Sequence, residues 1–380
     1  MTRGNHPYRN RQGSPRHPNR DRKEAVRASF GPCLIACVAM ALAIHTMPAL
    51  AQVAVRGKTL HTMAGPPITD GVVVIQDGKI IAVGPANSVT IPEGFRVLSA
   101  EVVTPGLIDA HTTVGISGLY NHDHDQDQLE RSAPIQPQLR AIDAYNVHDR
   151  LVAWVRGFGV TTMHTGHAPG ELISGQTMIV KTTGKTVEDA VMVETAALAA
   201  TMSPMAQKKD KGKSPGTRGK MMAMLRQNFV KAREYLDRRA NAKEDKKPAR
   251  DLALEALGRV LKREIPLMVT AHKAQDIMNA LRLAAEFDIV LWLDGACEAY
   301  LVIDEIKAAG VPVIVHPTMT RAYRETANLS VETAATLKHA GIAIAMQSGY
   351  ESYVPKTRVV LFETALAAAN GLTFEEALAA

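Results

Sequence analysis

The chain has 380 residues, 46% of them apolar and 22% charged, with a formal net charge of +6. That length exceeds one small domain and suits a large barrel with an appendage. The surplus charge lies in residues 1–51, which hold eight of the 44 Lys/Arg and two of the 38 Asp/Glu. The remaining 36 of each sign make the rest neutral, so net charge gives no argument for a nucleic-acid or anionic-membrane partner.

Residues 1–30 are polar and basic, the run Gly31–Ile44 is apolar, and "ALA" at 49–51 offers a small-residue cleavage site. This is the pattern of a secretory leader, too short to span a bilayer comfortably. Cleavage near Ala51 predicts an exported protein, periplasmic or extracellular, with no membrane association afterwards. Cys33 and Cys37 fall inside the leader, so Cys297 is left alone and no internal disulfide can form.

From 52 to 103 short alternating strands predict a small β-module. "GVVVIQDGKIIAVGP" reads as a hairpin turning at Asp77-Gly78. From 104 onward, apolar strands followed by amphipathic helices predict a (β/α)₈ barrel over 104–380. The strand candidates are 102–111, 160–166, 176–182, 189–195, 265–270, 289–294, 311–317 and 342–348; helices are expected at 273–286, 297–309, 330–340 and 356–370. Apolar residues on both faces of a strand belong to a sheet covered by helices. The charged, Gly- and Pro-containing stretch 206–220 reads as a flexible insert. Near the end, "TFEE" at 373–376 is a capping box; because the chain stops at Ala380, a truncated product is expected.

The segments "VVTPGLIDAH" (102–111), "AIDAYN" (141–146), "GVTTMHTGHAPGELISGQTMIVKT" (159–182), "AHKAQDIMNALRLAAEF" (271–287) and "QSGYESYVPKTRVVLFETALAAANGLTFEEAL" (347–378) resemble the amidohydrolase superfamily, in its secreted imidazolonepropionase-like branch. The resemblance implies a barrel joined to a composite β-sandwich, whose C-terminal half is missing here. It implies hydrolysis of a carbon–nitrogen bond in a small cyclic amide or dipeptide-like substrate, with one or two divalent metals, zinc or manganese. On the family pattern His111 is the retained metal ligand. Thr113 stands at the second histidine of that pair, Thr270 at the first histidine after strand 5 with His272 matching the other, Gly295 at the strand-6 histidine, and Gln347 at the aspartate that serves as base. The strand-4 lysine has no counterpart near Ala199.

A catalytic zinc wants about three protein ligands and an open position, and an amide neither takes nor gives a proton at neutral pH. The resemblance therefore predicts a degraded metal site, and a second reading stands beside the enzyme: an inactive barrel that binds a ligand, or a companion subunit of an active paralogue. A homo-oligomer is the other association expected. Candidate functional residues are Gln347 and His272 for catalysis, His164, His167 and His316 for substrate binding, and His111 for metal. The three substrate-binding histidines share with His111 and His272 the carboxyl ends of barrel strands. The segment 121–130, "NHDHDQDQLE", stacks ligand types that suit calcium or manganese, or else is a solvated loop. Lys181 reads as a surface lysine, Glu298 as an acid at a helix start, and Cys297 as a thiol whose pKa a helix start would lower.

Overall fold

The computed structural model of the chain describes residues 52–120, 122–209, 214–350 and 359–380. The expected leader with its two cysteines, residues 210–213 of the expected insert, Asn121, and the start of the helix expected at 356–370 lie outside the described residues. No helix among the described residues is long and apolar enough to cross a membrane.

The chain divides into two compact units, whose described parts are 52–56 with 71–99, and 57–70 with 100–380. The N-terminal sheet has strands β1 (Val53–Leu60), β2 (Ile68–Gln76), β3 (Lys79–Pro85) and β4 (Arg96–Val103) in the order β3-β2-β1-β4. The β2–β3 hairpin turns at Asp77-Gly78 with φ of 52° and 73°. Two successive positive φ angles match the twist of the flanking strands, and the Asp-Gly pair tolerates them. The strand anticipated at 102–111 is two strands: Val102 and Val103 end β4, and a new strand starts at Leu107. Pro105 between them lacks the N–H that a continuous ladder needs.

The larger unit is an eight-stranded sheet in sequence order, from β5 (Leu107–Thr112) through β6 (Val160–Thr165), β7 (Ile173–Lys181), β8 (Val191–Thr201), β9 (Leu267–Ala271), β10 (Leu291–Gly295) and β11 (Val313–Val315) to β12 (Ile344–Ala345). The two edges meet: Ala110 N–H donates to Met346 O at 3.0 Å and Gly349 N–H to His111 O at 3.0 Å. The result is a nearly closed barrel. One strand departs from the expected pattern, since β7 runs antiparallel to both β6 and β8. The connections 166–172 and 182–190 are shorter than the dozen or more residues a parallel crossover requires, so the chain makes hairpins there.

Helices α1 (Arg150–Gly157), α2 (Val187–Ala190), α3 (Arg218–Asn241), α4 (Leu252–Leu261), α5 (Ala274–Phe287), α6 (Ile303–Ala309), α7 (Thr333–His339), α8 (Val360–Ala369) and α9 (Phe374–Ala379) complete the unit. The helix expected over 297–309 is a short 3₁₀ turn at Ala299–Leu301 followed by α6. Thr373 and Glu376 form the anticipated capping box on α9.

The strands are apolar on both faces, with different partners on each. Leu267, Val269, Leu291, Leu293, Val313 and Val315 belong to the large core that takes in the helices. Met268, Ile314, Ala197 and Ala199 form a separate cluster inside the barrel, with Trp292 and Ala110 packed on it. Side chains alternate along a strand, so the residues two places beyond Met268, Trp292 and Ile314 continue the interior face. They are Thr270, Asp294 and His316.

Candidate active site at the barrel mouth

Asp294 is the hub of this end of the barrel. Its Oδ1 lies 3.0 Å from His111 Nδ1 and accepts from Gln347 Nε2 at 2.8 Å, while its Oδ2 accepts from Thr270 Oγ1 at 2.5 Å. Thr270 reaches it because the two residues are register partners on adjacent strands. All four side chains are buried. Burial by itself would raise the Asp294 pKa, but the His111 charge and the three hydrogen bonds hold it at about 2. His111 is affected in the complementary way: burial alone would lower its pKa, yet Asp294 raises it above the ordinary imidazole value. The two form a buried ion pair, and His111 Nε2 has no hydrogen-bond partner.

Asp109, two residues before His111, is a different acid. It accepts from Ser348 N–H at 2.9 Å and Ser348 Oγ–H at 2.5 Å, with a longer bond from His111 N–H at 3.4 Å. Burial outweighs these bonds and pushes its pKa up to about 6.

His272 follows β9. Its Nδ1 is 3.2 Å from Cys297 Sγ, and burial lowers its pKa to about 4, so the ring is neutral. Gly295 faces that ring: a Cβ there would stand 2.5 Å from His272 Cε1 and 2.9 Å from Nδ1, at a φ of +79°. No side chain fits at 295 while His272 keeps its place, which gives a physical reason for glycine where the family pattern has histidine. Cys297 departs from expectation. Burial, reinforced by the Glu298 charge, pushes its thiol up to about 12 rather than down. A helix start lowers a thiol pKa only where the sulfur faces the helix dipole, and Cys297 is fully buried ahead of a single 3₁₀ turn.

These groups floor a cavity of about 740 Å³ at the mouth, lined by His111, Thr270, His272, Asp294, Gly295, His316 and Gln347 below, and by the segment 320–326 with Tyr350 above. His316 donates Nδ1–H to Pro317 O at 3.1 Å, and burial lowers its pKa. Of the predicted residues, His164 and His167 lie outside the cavity lining. His164 bonds Ala110 O at 2.9 Å and Thr177 Oγ1 at 2.6 Å. Burial lowers its pKa to about 4. A carbonyl only accepts, so the neutral ring carries its proton on Nδ1 and takes the Thr177 hydroxyl proton at Nε2. His167 is buried against Gly175, with its pKa lowered to about 4 by burial. Thr113 is buried, bonded by Ser117 Oγ–H at 3.1 Å.

Lys181 is exposed, and Glu298 accepts from Ala274 N–H at 2.8 Å and pairs with Lys273 at 2.9 Å, which caps α5. In the 121–130 segment His122, Asp123 and His124 are exposed, and the link to the mouth is Gln128 Nε2–H donating to Tyr350 OH at 2.9 Å. Sequence reasoning missed Asp294 and Ser348. The signal for Asp294 was an acid closing an apolar strand, "IVLWLD".

A divalent metal needs about three protein donors free to face it. Among the described residues no group of three or more His, Cys, Asp or Glu side chains could hold one. Both oxygens of Asp294 are engaged by His111, Gln347 and Thr270. The donor set does not fit the group that the family pattern implies.

No family model and no curated protein matches the sequence. Solved structures do. An amidohydrolase from Thermotoga maritima MSB8 superposes with a TM-score of 0.79 at 25% identity, covering 86% of this chain and 85% of its own. A prolidase solved with N-methylphosphonate-L-proline gives 0.50 at 14% identity over 86% and 84%. The A. niger ochratoxinase gives 0.45 at 14% identity over 86% and 82%. An eight-strand barrel with an N-terminal sheet is the fold this chain shares with the T. maritima amidohydrolase.

Proposed function

We propose that this chain is an exported hydrolase of the amidohydrolase superfamily, in its imidazolonepropionase-like branch, that cleaves a carbon–nitrogen bond of a small cyclic amide or dipeptide-like substrate. The observation that carries the reading is the convergence of Asp294, His111, Thr270, Gln347 and His272 on the floor of one cavity, at the end of the barrel strands where such folds place chemistry. Similarity to the T. maritima amidohydrolase supports the reaction class.

The residues divide the work by chemistry. His272 is the proton acceptor: a neutral imidazole with Nδ1 tied to Cys297 leaves Nε2 for water, provided its proton sits on Nδ1. Asp294 fixes His111 and Gln347, and the Gln347 amide binds substrate without exchanging protons. No step is assigned to a metal, because the donors do not fit one.

The test is amine release from a series of N-acyl amino acids and dipeptides, and ring opening of a series of cyclic amides to the amino acid. Turnover that falls by about a hundredfold or more in His272→Ala supports the reading; turnover unchanged in that variant refutes it. A second reading is favoured by Gln347, which donates to Asp294 where a general base would stand: a binding protein, or a partner of an active paralogue. Tight binding with no turnover of any compound would select it.

A further inference from the structure

The cavity floor carries the imidazoles of His111, His272 and His316, and their protons are held differently. His111 is charged against Asp294. His272 faces a thiol, which both donates and accepts. His316 faces a carbonyl, and that fixes its proton. Pro317 O lies 3.1 Å from Nδ1 and can only accept, so the neutral ring keeps its proton on Nδ1 and Nε2 carries a bare lone pair. Burial lowers the His316 pKa, which keeps the ring neutral at pH 7. Nε2 is buried in the cavity lining and has no hydrogen-bond partner. The backbone holds this pose. His316 N–H donates to Gly295 O at 2.7 Å, and Pro317 O is itself fixed by Thr320 N–H at 3.1 Å. Thr318 Oγ1–H and Met319 N–H both donate to the buried Glu363 carboxylate, at 2.7 and 2.9 Å. A buried acceptor left unmet costs about 1–3 kcal/mol, so a ligand that brings a donor to Nε2 is favoured over one that does not.

We propose that the cavity takes secondary amides, open-chain or cyclic, whose N–H is received by His316 Nε2, and that it turns away tertiary amides and esters, which have no such hydrogen. The inference rests on the hydrolase reading for the amide and on the His316 tautomer for the N–H. His272 and His316 follow β9 and β11, the strands on either side of β10. Gly295 at the end of β10 joins them, because its Cα faces the His272 ring and its carbonyl receives His316 N–H. The acceptor for the water proton and the acceptor for the amide N–H thus stand side by side on the floor. A site built to receive an N–H discriminates strongly against an analogue that lacks it, since its buried acceptor is then left unpaired.

The experiment is calorimetric binding, to the full chain, of a series of lactams and N-acetyl-L-amino acids, each beside the lactone or O-acetyl hydroxy acid in which oxygen replaces N–H and beside its N-methyl form. At least one amide should bind about tenfold or more tighter than both of its analogues. His316→Leu removes the acceptor and should erase the ratio of amide to ester, and His316→Gln, which returns an acceptor oxygen, should restore part of it. The nitrogen NMR shifts of His316 in the parent should show a proton on Nδ1 and none on Nε2 at pH 7. Equal affinities of amide and ester, an unaltered ratio in His316→Leu, a proton on Nε2, or no binding by any amide would each overturn the proposal. Amide-selective binding without turnover leaves it standing while the hydrolase reading fails; turnover of amides, with esters bound as tightly, does the reverse.

Discussion

Replacing Asp109 by Asn should stabilise the protein at alkaline pH. The carboxylate is buried and its pKa is raised from 3.8 to about 6, with burial outweighing the bonds from Ser348 and His111. At about 1.4 kcal/mol per decade, a displacement of that size costs the fold about 3 kcal/mol once the group is ionised. Between pH 3.8 and about 6 the folded chain holds a proton that the unfolded chain has lost. Stability from this group therefore rises as pH falls through about 6, levels off near 4, and is at its lowest above 6. An amide oxygen at the same place still accepts from Ser348 N–H. The amide nitrogen would face Ser348 Oγ, which can turn its proton to Thr112 Oγ1 at 3.2 Å. Thermal unfolding from pH 4 to 8 should show the variant several degrees more stable than the parent at pH 8, with the gap closing towards pH 4. A variant less stable at pH 8, with a gap that ignores pH, would mean that the three donors hold the carboxylate ionised and that burial does not decide its charge.

Asp294 runs the other way. Its pKa falls from 3.8 to about 2, so roughly 2 kcal/mol of stability is present above pH 4 and lost as pH drops towards 2. His111→Ala leaves that buried carboxylate without its counter-ion and should cost about 3–5 kcal/mol in denaturant unfolding at pH 7; a loss under about 1 kcal/mol would show the pair to be unimportant. Gly295→Ala should destabilise by about 2 kcal/mol or more, through the left-handed φ and the clash with His272, and imidazole NMR shifts of His272 should move with it. Adding zinc or manganese should leave the melting temperature unchanged, whereas a rise of several degrees at saturating metal would reveal a donor set that the side-chain geometry lacks.

Apolar runs marked the strands of the second half, β9 to β12, because a strand covered on both sides has no polar face to interrupt it. The same property hid two things. An apolar run carries no direction, so β7 looked like a parallel strand, although the short connections at 166–172 and 182–190 held the correction. It also carries no phase. In "IVLWLD" nothing in the residues says whether Leu293 or Asp294 looks inward. Trp292 settles the matter once the fold is known: it packs on the interior cluster, and Asp294, two places on, must share its face. The same step takes Met268 to Thr270 and Ile314 to His316. Matching residues to the metal-ligand pattern of a family singled out Thr270 and Gln347 as positions where that pattern expects another residue. It could not find Asp294, which lies one residue before the position that the pattern inspects. The threonine and the glutamine are better understood as hydrogen-bond donors selected around an ionised aspartate than as lost ligands. Each supplies the N–H or O–H that a buried carboxylate requires, and His111 supplies the charge.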